Sequence, residues 1–542
     1  MIVSQSYIDI FSKFGIETVN IIFILTTILN IALILSKTNP IKIFKIFIGL
    51  VSIYMNLVIL LDINSSYIYI YILNIYIAFK NILDSLEESF KFKDSLLINI
   101  MWILGPYYLF KEKFILREQL EDSLKLKTII VFYSFLILLN IFYKNKETFK
   151  NRDFKRGLFR VFEIIQVTFP FYLLKDGGLK TYPLIILVAC GTILKNKKIE
   201  GIKEYKYIYS FIILWGSITG LSLLGVNPIS QVSKEYLLKT IGLIGYLILL
   251  LQLEWKEEIR KKAMCIFIFS SFLTVMAVII QFTKNNFLFI RYTDGYLIIP
   301  FGIKSSIIAI IILYIILMYK KIELLPFFIL GLFGVVLSGS RGPFGALLVC
   351  LFLMIALLYR KQWKKFCISI MVVVLILGIL LKITPSISNR IKLMTEGKDG
   401  STKTRIYIYK ESLRQFLKKP LLGNGIGRYQ EVSLVDNKNK GDVSSDEWVG
   451  LYHHTYSHNN ILGLLSGVGI LGFLSYYLFQ LSLLFNFKNK KDFILGAILI
   501  LSFELNGITD MSLIFFRIQE ILFFVYVLIL KENKEEFIKK RP

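Results

Sequence analysis

The chain has 542 residues, 55% of them hydrophobic and 15% aromatic, and only 19% are charged. Soluble domains carry about 25% charged residues, and a single water-soluble core does not absorb this much apolar surface. The formal net charge of +26 does not mark a nucleic-acid binder, because Lys and Arg fall in short runs between apolar segments and not along one soluble face.

In chain order, near-continuous runs of Ile, Leu, Phe and Val are long enough to cross ~30 Å of hydrocarbon as helices. They predict spans near 18–36, 44–62, 66–79, 96–110, 126–143, 158–174, 182–194, 207–225, 238–254, 263–282, 303–319, 324–338, 343–359, 366–383, 460–486, 493–508 and 513–530. The expected fold is therefore an all-α polytopic transmembrane helix bundle of about 12–17 spans. The first run lacks a basic leader region and a small-residue cleavage site, so it is expected to be retained. Cys190, Cys265, Cys350 and Cys367 all lie in or at the ends of apolar runs with no CxxC spacing, which predicts neither disulfides nor a metal site.

Short basic loops set the orientation. Lys144 to Arg156, Lys195 to Lys206, Lys256 to Lys262, Lys320–Lys321, Arg360 to Lys365 and Lys488 to Lys491 all fall on the same side of the counted spans. The positive-inside rule makes that side cytoplasmic, with the charged stretch 111–126 as a mild violation. The opposite, outer side then holds the turn Ser338-Gly339-Ser340-Arg341-Gly342, the loop around Arg291 and the long segment 384–458. Four regions follow: N-terminal transmembrane helices over 1–300, further transmembrane helices over 301–383, a large extracytoplasmic loop over 384–458, and C-terminal helices with a cytoplasmic tail over 459–542. Long loops of this kind tend to be functional. This one contains an amphipathic helix pattern from Thr404 to Lys418, with Ile406, Tyr409, Leu413 and Phe416 on one face and Pro420 ending it.

All three histidines, His453, His454 and His458, sit where the long loop meets the span near 460. Histidine is the side chain whose unperturbed pKa lies nearest neutrality, so this junction is where a general base is sought. The bland alternative is an interfacial polar cap that binds headgroups. Glu163, Glu504, Asp510, Arg517 and Glu520 lie in or at the edges of spans, where ionisable groups are costly and functional by default; Arg517 with Glu520, and Glu163 with Arg160, stand three apart, and structural pairing is expected for both. Gly423-Asn-Gly425-Ile-Gly427 follows a helix and not a strand, which makes it a helix-ending turn and not a nucleotide loop.

His458-Asn459 followed after nine residues by Gly469-Ile-Leu-Gly472 resembles the signature of the O-antigen ligase/O-antigen polymerase family. Ser338-Gly-Ser-Arg341-Gly342 opening a helix resembles a second element of that family. Arg405-Ile-Tyr-Ile-Tyr409 followed by Pro420-Leu-Leu-Gly423-Asn-Gly425 resembles a third, with Tyr407 and Tyr409 where relatives often carry Trp. The resemblance covers about 324–530 and implies a C-type glycosyltransferase superfamily-like fold. It also implies inverting transfer, without metal or cofactor, of an undecaprenyl-diphosphate-linked glycan to an acceptor sugar hydroxyl, as in polymerisation or ligation of surface polysaccharide. The implied setting is the cytoplasmic membrane with the active site on its outer side. The partners are the lipid-linked oligosaccharide donor, a glycan acceptor, the bilayer, a flippase and a chain-length regulator, with no nucleic acid. His458 is the expected catalytic base, and Arg341 and Arg405 the expected diphosphate clamp, since guanidinium groups match phosphate oxygens bidentately. His454, Tyr456, Asn459 and Arg414 are candidate residues around them. The alternative from another class is a polytopic transporter or flippase without glycosyl transfer; it calls for internal repeats, and the chain shows no convincing one.

Overall fold

The computed structural model describes residues 42–62, 68–90, 163–170, 173–174, 204–224, 226, 229–284, 298–383, 400–437, 444–487 and 489–539. Within them the chain is helical and without strands, as an apolar environment requires of a backbone that must satisfy its own polar groups. The helices are α1 (Lys42–Asp62), α2 (Ile68–Phe90), α3 (Lys206–Leu221), α4 (Gln231–Gln252), α5 (Glu257–Lys284), α6 (Ile298–Tyr319) and α7 (Leu325–Ser338). They continue as α8 (Arg341–Tyr359), α9 (Trp363–Ile383), α10 (Gly400–Lys418), α11 (Tyr429–Asp436), α12 (Asn460–Asn486), α13 (Lys490–Thr509) and α14 (Phe516–Lys539).

Among the described residues, five helices are long and apolar enough to cross a membrane: α4, α6, α8, α12 and α13. The protein is an all-α polytopic membrane protein. The expected spans near 18–36, 96–110, 126–143 and 182–194, and the loop around Arg291, lie outside the described residues. The expected span at 66–79 is longer than predicted, because α2 runs on through the polar stretch to Phe90. The amphipathic pattern from Thr404 to Lys418 forms α10, one turn longer at its start.

The chain divides into two compact units, Met1–Asp176 with Lys256–Gly339, and Gly177–Trp255 with Ser340–Pro542. In the first, α6 is buried from Pro300 to Ile316 and α7 packs closely on it. Small residues permit that approach: a Cβ at Gly331 would stand 3.2 Å from Ala309 Cβ, and one at Gly334 2.6 Å from Ser305 Oγ. Phe272 joins α5 to α7 through an edge-on contact with Phe327 at 6.1 Å between ring centroids.

In the second unit α12 is central, packed on α3, α10 and α13, while α8 packs on α13 and α4 on α14. Trp215 of α3 meets Tyr476 of α12 at 5.3 Å, and Phe479 of α12 meets Phe523 of α14 at 5.6 Å. Tyr246 of α4 donates a hydrogen bond to the Glu520 carbonyl of α14 at 3.1 Å. Helix α9 leaves Ile368, Met371, Val374, Leu375 and Ile379 exposed, the side-chain character of a lipid-facing surface.

The basic-loop pattern predicts that α10 and α11 lie on the outer side of the membrane. Val435 in α11 is 76% exposed. In a background without the native cysteines, Val435→Cys is expected to react with a membrane-impermeant thiol reagent in intact cells. Reaction only after permeabilisation would reverse the orientation.

Candidate functional site

The second unit is organised around a break. Helix α12 loses helical geometry at Gly469, where φ is 67° and ψ is −172°. A break frees amides and carbonyls that water cannot satisfy inside an apolar bundle, at several kcal/mol each. The segment that follows α10 supplies the partners. Ile470 and Leu471 donate their amides to the carbonyls of Pro420 and Leu421 at 2.8 and 3.3 Å. Asn424 and Gly425 donate theirs to the carbonyls of Ser466 and Gly467, both at 2.9 Å. Helix α10 ends at Lys418, before the run Gly423-Asn-Gly425, and the run plugs the gap in another helix. A Cβ at Gly469 would overlap the Leu421 carbonyl, so both the positive φ and the close approach demand glycine there.

The first half of α12 starts at Asn460, capped by Asn459, whose side-chain oxygen accepts from the Leu462 amide at 3.0 Å. Asn460 is tied across to α13. Its Nδ2 donates to Glu504 at 3.2 Å and to Ser512 Oγ at 2.9 Å, and its Oδ1 accepts from the Leu513 amide at 3.1 Å. A Cβ at Gly507 would overlap the Asn460 amide. Glu504 also accepts from the hydroxyls of Tyr476 at 3.1 Å and Tyr477 at 2.9 Å, beyond the break. One carboxylate thus holds both halves of the broken helix to α13.

That registration brings His458 to the end of α13. Its Nδ1 lies 2.9 Å from Asp510 Oδ1, with the two side chains only 10% and 2% exposed. The atoms are within ion-pair distance, without the alignment of a hydrogen bond. On the other side of the ring, Nε2 lies 2.8 Å from His454 Nδ1. Tyr456 covers the imidazole at 4.3 Å between ring centroids. His458 itself has φ of 50°, a left-handed conformation that costs a non-glycine residue of order 1–3 kcal/mol and persists only where neighbours enforce it. The enforcing contacts converge on the Ile508 carbonyl, which accepts from Asn459 Nδ2 at 3.2 Å and from the Tyr409 hydroxyl of α10 at 2.9 Å.

The two arginines come from different helices. Arg341 is the first residue of α8, and the neighbouring Gly342 is packed so closely on Thr509 that a Cβ would overlap its hydroxyl, one residue before Asp510. Arg405 lies one turn before Tyr409 on α10. Burial raises the Tyr409 and Tyr456 phenols above the usual tyrosine range, Asp510 adds to the rise at both, and the charge of Arg405 pulls each back. Both tyrosines are therefore neutral hydroxyls that feel Arg405 and Asp510 together.

Arg414 is held elsewhere. It bonds Glu411 through Nε and Nη2, each at 2.9 Å, with Asp436 at 3.6 Å from Nη2. With Tyr407 and Lys410 it lines an open cleft of about 560 Å³ on the other face of α10. Among the described residues no group of three His, Cys, Asp or Glu side chains is arranged to hold a metal ion. His454, His458 and Asp510 form a line, not a tripod.

Residues 326–477, from α7 to just beyond the break in α12, match the family model described as O-antigen ligase. This stretch is an O-antigen ligase family domain. No curated protein matches the chain. The O-antigen ligase match contains Arg341, Arg405, His454, His458, Gly469 and Gly472, and it stops before Glu504 and Asp510. Sequence reasoning missed Asp510 as the partner of His458. The available signal was its place between two predicted spans, as an ionisable group at the edge of an apolar run.

The break has a direct test. Gly469→Ala places a side chain in the left-handed region, at about 1–2 kcal/mol, before the overlap with Leu421 is counted. The variant is expected to unfold at a clearly lower temperature in detergent and to lose activity. A wild-type melting curve would mean that the loop does not depend on the break.

Proposed function

We propose that the protein is an inverting, metal-independent glycosyltransferase that moves a glycan from a lipid diphosphate carrier to an acceptor sugar hydroxyl on the outer face of the membrane. At the coarser level, the O-antigen ligase domain marks a membrane enzyme of surface polysaccharide assembly, which uses a lipid-linked glycan. The observation that carries the finer reading is the Asp510–His458–His454 line, in which Asp510 and His458 are buried and both histidines lie within the stretch that matches that family.

The chemistry needs two things. An acceptor hydroxyl must lose its proton as its oxygen attacks the anomeric carbon from the face opposite the leaving group. An imidazole backed by a carboxylate suits that task, and His458 is the base in this reading. The bond from the anomeric carbon to the diphosphate oxygen breaks, and its electron pair leaves with the lipid diphosphate. Guanidinium groups answer that charge bidentately without being deprotonated, the role given to Arg341 and Arg405. Undecaprenyl diphosphate is the carrier this reading expects. A flippase and a chain-length regulator are the partners that would supply the donor and limit the product.

Purified protein with a lipid-linked oligosaccharide tests the reading on a size ladder. Multimers of the unit identify a polymerase, and transfer to an added glycan acceptor identifies a ligase. His458→Ala is expected to lose about 10²–10⁴-fold in rate, the usual contribution of a general base. Arg341→Lys and Arg405→Lys keep charge but lose the fork, and each is expected to weaken donor use. Near wild-type transfer by His458→Ala would remove His458 as the base.

A further inference from the structure

We infer that the outward face of α10 rests in the lipid bilayer, at the boundary between headgroups and acyl chains, and is not a face turned to water. The inference concerns how this helix is held and stands apart from the glycosyl-transfer reading.

Helix α10 is amphipathic the wrong way round for water. A helix packed on a water-soluble core turns its apolar stripe inward and its polar residues to solvent. In α10 the side turned to protein carries Ile408 but also Glu411, Ser412 and Gln415, all buried. Ile406, Leu413 and Leu417 are exposed, Leu417 to 68%. Their positions keep them within about 40° of one another around the helix, so they form one stripe. A contiguous apolar patch marks an interaction site, where single exposed leucines do not.

The neighbouring helix says what covers the stripe. Past the end of α10 it continues in Leu421, 64% exposed, and Leu422. The Leu421 carbonyl accepts from the Leu471 amide of α12 at 3.3 Å. Leu471 opens the exposed row Leu471, Leu474, Leu478 and Leu481 along a helix long and apolar enough to cross the membrane. The stripe on α10 therefore runs into a lipid-facing surface.

Depth agrees. The part of α12 from Ile470 to Asn486 rises about 24 Å, and Asn486 stands just before Lys490 and Lys491, which open α13 at the polar boundary. With a hydrocarbon core ~30 Å thick, the Leu421–Leu471 bond lies roughly 6 Å inside the opposite boundary. An interfacial helix buries its apolar face to just such a level, about 5–10 Å. Lys403 and Lys410 are exposed on the flank of the stripe, and their long apolar stems carry charge from that level up to the lipid phosphates. The same contact fixes the height of Arg405 and Tyr409, which α10 carries beside the polar cluster.

Fluorescence quenching in vesicles tests the inference. Full-length protein without its native cysteines receives Leu413→Cys, Leu417→Cys or, as a lipid-facing reference on α9, Ile379→Cys. Each cysteine carries the fluorophore NBD, and the protein is reconstituted into phosphatidylcholine–phosphatidylglycerol vesicles. The Leu413 and Leu417 sites are expected to lose about half their emission or more to doxyl-labelled lipids, as at Ile379, and to stay nearly unchanged with iodide on both sides of the membrane. Quenching by iodide with none from the lipids means a water-facing stripe and overturns the inference. Protection from both quenchers means a protein cover and overturns it equally; energy transfer between differently labelled molecules then identifies a second copy of this chain. Neither result touches the glycosyl-transfer reading, which turnover of a lipid-linked donor decides.

Discussion

A helix that breaks inside an apolar bundle must find partners for the backbone groups it releases, and the second unit is built around that requirement. The Pro420–Gly425 segment pairs with Ser466, Gly467, Ile470 and Leu471, so the loop that follows α10 is fixed to α12 by main-chain hydrogen bonds. Because the segment is continuous with α10, the same pairing fixes the helix that carries Arg405 and Tyr409. Because the break shortens the first half of α12, it also sets where Asn459 and His458 stand. Glu504 then holds both halves to α13, at whose end lies Asp510. The unit thus assembles its polar cluster from backbone needs first and side-chain chemistry second.

The glycines show how function and packing share one cause. Gly469, Gly423 and Gly425 all have positive φ, and a Cβ at Gly469 or Gly423 would run into the opposite backbone. Their spacing is legible in the sequence as a family-like signature. Their reason is not, since the two sides of the pairing lie more than forty residues apart and neither implies the other. Spans are legible for the opposite reason: an apolar run reports its own environment, and most of the predicted runs in the described residues are helices within a few residues of the expected ends. The largest departures are α2 and α14, which run on through polar residues to Phe90 and Lys539; the last turns of α2 are buried in the first unit.

Local clustering picks out the histidines in the sequence, and helix geometry explains why Arg414 stands apart from Arg405. It lies nine residues after Arg405 on the same helix, about two and a half turns, and so on the opposite face. There Glu411 and Asp436 hold it as part of the packing between α10 and α11. Asp510 stands out in the sequence as an ionisable group at a span edge, but its pairing with His458 is not legible there, because the partner comes from another element and no local pattern encodes the Asn460 link between them.

The left-handed backbone of His458 brings these threads together. A residue in that conformation stores strain that its own side chain does not relieve, so surrounding structure must over-determine it. The Asn459 cap, the Tyr409 hydroxyl on the Ile508 carbonyl and the Asn460 link do so from three elements at once. The consequence is a ring with Asp510 near one nitrogen and His454 near the other. Rigid placement of this kind lowers the reorganisation needed when charge moves, which is how a preorganised site differs from a polar patch of the same composition. The broken helix is therefore not a flaw tolerated at the site but the feature that makes a strained, pre-aimed histidine possible in an otherwise apolar bundle.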